Sequence, residues 1–133
     1  MATHQKIALL VLFICAYVFW QAGPGPPGPG PDPAPIPQPG LFVMIVEETA
    51  DRPNLTDDQL TIIQSAMLRD KVEQKGGQLR VFDVNVENAA EPWNTALARP
   101  RTETPWLLIS NHPEGGYEGP LPERLEHVLE LLP

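Results

Sequence analysis

The chain has 133 residues, with 17 acidic and nine basic side chains, 17 prolines and one cysteine. The single cysteine, Cys15, excludes an intrachain disulfide, dithiol redox chemistry and a cluster of thiolate metal ligands. The excess of negative charge argues against binding to nucleic acid, because that affinity depends on positive side chains that neutralise phosphates.

Residues 7–22 are the first recognisable element, an uncharged and mostly apolar stretch that follows Lys6. As a helix this stretch spans about 24 Å, against roughly 30 Å of membrane hydrocarbon. Residues 1–22 are therefore predicted to be an N-terminal transmembrane helix, with a cleaved signal peptide as the alternative. Because positive charge precedes the stretch, we expect a single-pass protein of the cytoplasmic membrane, with its N-terminus in the cytoplasm and its C-terminal domain periplasmic or otherwise extracytoplasmic.

Residues 23–40 are predicted to be a linker, since they contain nine prolines and five glycines. Such a segment forms a semi-rigid polyproline II rod, and at about 3.1 Å per residue it would reach roughly 55 Å. We expect no residue of this segment to join a packed core. It would serve as a spacer or as a docking site for a partner with an aromatic groove.

The remaining residues, 41–133, are the length of one small domain. Six consecutive apolar residues, 41–46, predict a strand buried on both faces, and residues 47–54 predict a polar loop. Thr56 and Gln59 form a capping box for a helix that is expected to end at Gly76-Gly77. Its predicted apolar stripe consists of Leu60, Ile63, Met67, Leu68 and Val72.

The second half of the domain shows three more strands and two more helices in sequence. Residues 79–86 predict a strand, residues 91–99 a short helical segment, and residues 105–109 a strand headed by proline. A turn at Gly115-Gly116, a short strand near Tyr117 and a helix from Pro122 follow. The buried side of that helix is predicted to contain Leu125, Val128, Leu129 and Leu132. The order β-α-β-(α)-β-β-α predicts an α/β fold.

Two stretches of this domain resemble the thioredoxin-like superfamily. Thr104-Pro105-Trp106-Leu107-Leu108-Ile109 resembles the strand that a cis-proline begins, and Glu118-Gly119-Pro120-Leu121-Pro122 resembles the end of the closing strand before the last helix. The resemblance covers residues 41–133 and implies a central mixed sheet flanked by helices. The chain also resembles small uncharacterised membrane-anchored proteins of bacteria and phages.

The resemblance implies a binding scaffold without the redox activity of the superfamily. Thioredoxins carry a Cys-x-x-Cys motif after the first strand, and the equivalent residues here, 47–56, contain no cysteine. The resemblance does imply that the domain binds extended peptides beside the proline, where its backbone groups pair with an added strand. The binding residues it indicates are Thr104, Pro105 and Trp106.

A second group of candidate residues follows the first strand, where α/β sheets commonly bind ligands. Glu47, Glu48 and Asp51 are close enough in sequence to raise one another's pKa or to hold a cation, and Arg52 accompanies them. The plainer reading is a solvated acidic loop. Arg99 and Arg101 could pair with these carboxylates.

Three hypotheses of function follow from these patterns. The first is a protein-binding or peptide-binding module, and the second is a structural protein that spans the cell envelope as TonB-like proteins and phage spanins do. The third is an acid–base enzyme that uses Glu48, Asp51 and Arg52. We expect no cofactor and no metal, because no two histidines have metal-ligand spacing.

Overall fold

The computed structural model describes residues 32–133. The predicted transmembrane helix, residues 7–22, and residues 23–31 of the predicted linker lie outside the described residues. None of the helices within residues 32–133 has the length and apolarity needed to cross a membrane.

The described residues form four strands and four α-helices, with one 3-10 helix, Thr49–Asn54, after the first strand. The strands are β1 (Gly40–Glu47), β2 (Gln78–Asp83), β3 (Trp106–His112) and β4 (Gly115–Pro120). The helices are α1 (Asp57–Ile63), α2 (Ala66–Gln74), α3 (Trp93–Leu97) and α4 (Leu125–Leu131). The order of the elements agrees with the sequence prediction.

The four strands form one mixed sheet in the order β2-β1-β3-β4. Strand β1 is parallel to β2, whereas β3 is antiparallel to both of its neighbours. The prediction of an α/β fold is therefore confirmed. The parallel pair needs a long crossover connection, which α1 and α2 provide, while β3 and β4 form a hairpin.

Strand β1 lies in the middle of the sheet and is buried on both faces, as the unbroken apolar run predicts. Its side chains alternate between two hydrophobic clusters. Leu41, Val43 and Ile45 pack with apolar residues of α1, α2 and α4, and Phe42 and Met44 pack with α3 on the opposite face. The sheet is thus the middle of three layers.

The helix predicted between Thr56 and Gly76 is interrupted at Ser65. The capping box of Thr56 and Gln59 is present, as predicted. The side chain of Ser65 then accepts a hydrogen bond from the backbone N–H of Leu68 at 3.1 Å and caps a second helix. The interruption changes the helical phase, so Met67, predicted to belong to the buried stripe, is 57% exposed.

Several predicted boundaries also shift. Strand β2 ends at Asp83 rather than at residue 86, and the last helix begins at Leu125 rather than at Pro122. The hairpin turn lies before Gly115, at Glu114, whose N–H donates to the carbonyl of Asn111. The predicted helical segment at residues 91–99 is the five-residue α3. The peptide bond between Thr104 and Pro105 is cis.

The largest difference from the sequence prediction concerns the end of the linker. Residues 32–39, named here the N-terminal strap, pack onto the domain, and Ile36 is only 1% exposed. The expectation that no residue before Leu41 joins the core is therefore wrong for this segment. Ile36 is the one large apolar side chain between Gly23 and Gly40. The high proline content of residues 23–40 predicts a linker and does not indicate that this single apolar side chain is buried.

Candidate functional site

The candidate site is the end of the sheet where β1 and β2 finish and β3 begins, named here the carboxyl edge. It consists of residues 47–52, 83–85 and 104–106. Val46 pairs with Trp106 across β1 and β3, and Glu47 pairs with Asp83 across β1 and β2. The fold therefore brings together the two segments that the sequence indicates as binding residues.

Glu47, the last residue of β1, is a buried carboxylate at this edge. The guanidinium of Arg52 contacts both of its oxygens, with Nε 3.1 Å from Oε1 and 3.2 Å from Oε2. The hydrogen bond to Glu47 and the negative charge of this carboxylate raise the pKa of Arg52 above its usual value. Arg52, predicted as a binding residue, thus serves to neutralise a buried charge.

Asp83, the last residue of β2, is the second carboxylate that the edge holds in place. It accepts hydrogen bonds from the hydroxyl of Thr49 at 2.6 Å and from the Thr49 N–H at 2.9 Å. The backbone N–H of Asn85 also donates to it, at 2.9 Å. The Thr49 side chain, followed by the two backbone donors, lowers the pKa of Asp83 to about 2.

We predict that Asp83 makes the stability of the domain depend on acidity. Because its pKa is depressed in the folded state from an ordinary 3.8, its stabilising contribution is complete above about pH 4 and is lost as the pH falls through about 2. Urea denaturation midpoints should decline over that interval. The decline should be smaller in Asp83→Asn. In Thr49→Val an NMR titration should find the pKa of Asp83 closer to 3.8, and an unchanged pKa would contradict this assignment.

Glu48 and Asp51 lie in the loop and 3-10 helix that follow β1. Their side chains make no hydrogen bond within residues 32–133, and the N–H of Asp51 donates to the carbonyl of Glu48 at 2.9 Å. No group of metal-ligating side chains is found in this part of the chain. The loop has the geometry of a solvated acidic surface.

Thr104, Pro105 and Trp106 enter the edge from the opposite side. Pro105 is buried, and its carbonyl accepts a hydrogen bond from the N–H of Leu121 at 2.9 Å. By contrast, neither the N–H nor the C=O of Thr104 has a hydrogen-bond partner within the described residues. Trp106 is half-buried and packs against the cluster that contains Val46 and Trp93.

The two arginines that could pair with the carboxylates after β1 have other partners. Arg99 pairs with Glu118 of β4 through two contacts of 2.8 Å, and Arg101 donates to the carbonyl of Leu97 at 3.0 Å. Neither donates to a carboxylate after β1 within the described residues. The ion pair of Arg99 lies on the surface and is expected to add little stability.

Trp93 belongs to the core and not to the site, since it is 6% exposed and meets Phe42 edge-on at 5.6 Å between ring centroids. The sequence places Glu47 among the candidate carboxylates but does not indicate that it pairs with Arg52, and it does not single out Asp83. A signal for each was present. An acidic residue directly follows a buried strand five positions before Arg52, and Asp83 precedes Asn85 by two positions, the spacing of an Asx turn.

The fold and the edge together define an α/β domain in which Glu47 and Asp83 are engaged by neighbouring side chains, while the Thr104 backbone is open within the described residues. No protein-family model matches the sequence, and neither the comparison with curated proteins nor that with solved structures finds a match. A function must therefore be argued from the edge itself.

Proposed function

We propose that the chain is a single-pass membrane protein whose thioredoxin-like domain lacks redox cysteines and binds an extended segment of a partner protein or peptide outside the cytoplasm. The observation that carries the proposal is the open backbone of Thr104. A residue with both its N–H and its C=O unpaired offers the two hydrogen bonds that an incoming strand needs. A backbone N–H or C=O that is buried without a hydrogen bond is costly in free energy. These two groups therefore favour hydrogen bonds to water or to the backbone of a bound protein.

The arrangement of the described elements supports the thioredoxin-like assignment. A helical connection follows the first buried strand, Pro105 directly precedes the third strand, and the fourth strand contains Gly119 before the last helix. Helices lie on both faces of the mixed sheet. In a thioredoxin-like domain the residues beside Pro105 would correspond to the place where that superfamily holds extended peptides.

Trp106 supplies the apolar part of the proposed contact. Its ring is fixed on one side by the core and reaches solvent on the other, and half-exposed tryptophan is favoured where one protein binds another. Asp51 contributes exposed and Glu48 half-exposed negative charge nearby, while Arg52 is held by Glu47. These residues border the proposed contact and are not its centre.

The membrane part of the proposal rests on the sequence. Residues 7–22 would insert with the preceding positive charge in the cytoplasm, which directs the domain to the other side. The strap limits the free spacer to residues 23–31, which would extend about 28 Å at about 3.1 Å per residue. This length suits a domain held near the membrane better than a protein that bridges two distant layers of the envelope.

Photo-crosslinking tests the binding proposal in cells that make the full-length chain. A photo-reactive phenylalanine analogue at position 106 should form a covalent adduct with a second protein, because this position borders the open backbone of Thr104. The matched control carries the analogue at position 67, which is exposed and lies on α2. Adducts of equal yield from both positions, or none from position 106, would refute a binding surface at the carboxyl edge.

A further inference from the structure

The N-terminal strap packs on the face of the sheet that α3 covers. Ile36 is 1% exposed, and it belongs to the cluster formed by Phe42, Met44, Trp93 and Leu108. The neighbouring Pro35 is buried as well, whereas the rest of the strap is exposed or half-exposed. The strap is thus held through one pair of adjacent apolar residues.

One hydroxyl group satisfies the backbone of the buried residue. The N–H of Ile36 donates to the Oγ of Ser110 at 3.1 Å, and the same Oγ donates to the carbonyl of Ile36 at 3.2 Å. Ser110 is itself fully buried in β3. In a sheet, a C=O and an N–H of a neighbouring strand would pair with the N–H and C=O of Ile36. Here the Ser110 hydroxyl pairs with both groups, as acceptor and as donor.

The prolines on either side of Ile36 suit this arrangement. Pro35 and Pro37 have no backbone N–H, so Ile36 is the only donor in its immediate neighbourhood that needs a partner. Ordinary residues at positions 35 and 37 would each add a backbone N–H, and the one at the buried position 35 would need a hydrogen-bond partner. The groove therefore matches an aliphatic residue flanked by prolines in a backbone that bends at Pro35 and Ile36.

The edge of β4 is shaped to hold the same segment. The N–H of Gly116 donates to the carbonyl of Asp32 at 2.8 Å. A Cβ at Gly116 would lie 2.6 Å from the ring of Pro35 and 2.3 Å from the carbonyl oxygen of Ile109. Only glycine leaves room there for the strap to follow the strand.

The strap lies on the domain without belonging to a helix or to the four-stranded sheet. It contains no helix and no strand, only two isolated bridges, one at Asp32 and one at Pro39. It connects to β1 through Gly40, whose φ of 114° is a conformation that favours glycine. The four-stranded sheet and the cluster on its other face are complete without the strap.

We propose that this face is a peptide-binding groove for a bent Pro-aliphatic-Pro segment and that residues 33–37 are its tethered ligand. The groove is separate from the carboxyl edge, so it does not depend on the function proposed there. A free segment of the same chemistry should bind whenever the strap is displaced. The proline-rich backbone assists such binding, since little conformational entropy is lost when it is ordered.

The test uses the full-length chain with Ile36→Asp, which cannot bury its charge in the groove and should vacate it. The probe is a fluorescent synthetic peptide with the sequence of residues 32–40, and binding is measured by fluorescence anisotropy. We expect this variant to bind the peptide about tenfold or more tightly than the wild-type chain, in which the tethered strap competes at high effective concentration. Adding Ser110→Ala should weaken the binding about fivefold.

The same peptide carrying I36D should not bind, and if it binds as well as the natural sequence, the proposal is wrong. A folded Ile36→Asp chain that ignores the peptide at millimolar concentration would also refute it. An Ile36→Asp chain that fails to fold would show that the strap belongs to the core and is no ligand.

Hydrogen exchange in the unmodified full-length chain provides a test without substitutions. If the strap opens independently, the Ile36 amide should exchange about 100-fold or more faster than the Val43 amide, which is released only when the sheet opens. Equal exchange rates for the two amides would overturn the proposal.

Discussion

Trp93→Ala is expected to lower the free energy of unfolding by about 3–5 kcal/mol, the usual cost of removing a buried aromatic side chain. Trp93 is almost fully buried and its ring meets two other aromatic rings, those of Phe42 at 5.6 Å and Phe82 at 5.9 Å between centroids. It also joins the short helix α3 to the sheet. A domain of this size has a total stability of about 5–15 kcal/mol, so the loss would be a large part of it.

Urea denaturation followed by circular dichroism would measure this loss. The matched control is Trp106→Ala, which removes the same side chain from a half-buried position and should cost clearly less. If the two variants were equally unstable, the assignment of Trp93 to the core and Trp106 to the surface would be wrong.

Thr104→Pro is expected to weaken binding of the partner by roughly 10- to 100-fold. Proline removes the backbone N–H of residue 104, so the partner's carbonyl would be left unpaired in the contact, and such a loss costs about 1–3 kcal/mol. The N–H has no partner within residues 32–133, so its removal should disturb the free domain little. This combination of a large effect on binding and a small one on stability is typical of a strand-pairing contact.

Thr104→Ala is the control for that prediction, because it changes the side chain and keeps the N–H. Binding of the protein captured from position 106 should be measured for both variants, together with their thermal denaturation. Equal losses of affinity in the two variants would mean that the side chain, and not the backbone, makes the contact.

The parts of the fold that depend on local patterns could be predicted from the sequence. The apolar run that starts at Leu41 predicts a central strand, and the structure buries it on both faces. Thr56 and Gln59 predict the start of a helix, and both of their capping hydrogen bonds are present. In these cases a few neighbouring residues contain all the interactions that decide the local structure.

The strap could not be predicted in this way, because the residue that binds it is distant in sequence. Ile36 is held by Ser110, 74 positions later, and by room left at Gly116. Nothing near Ile36 distinguishes it from an apolar residue in a free linker. The proline-rich composition predicts a linker, whereas the burial of the Ile36 side chain determines where the strap lies.

The candidate site shows the same division between local and distant information. The sequence indicates both segments of the carboxyl edge, but not which charges neutralise one another. Arg52 donates to Glu47 and is therefore not available to bind another molecule. Asp83 accepts a hydrogen bond from Thr49, which lies 34 positions earlier in the sequence. A carboxylate that appears available in the sequence is engaged once the strands are paired.

The most direct measurement of the central claim is the hydrogen exchange rate of the Thr104 amide, by NMR, with and without the partner segment that crosslinks to position 106. The account predicts rapid exchange in the free chain, because this N–H has no partner within the described residues, and at least about tenfold slower exchange in the complex. An amide that is already protected in the free chain, or that exchanges as rapidly in the complex, would contradict it.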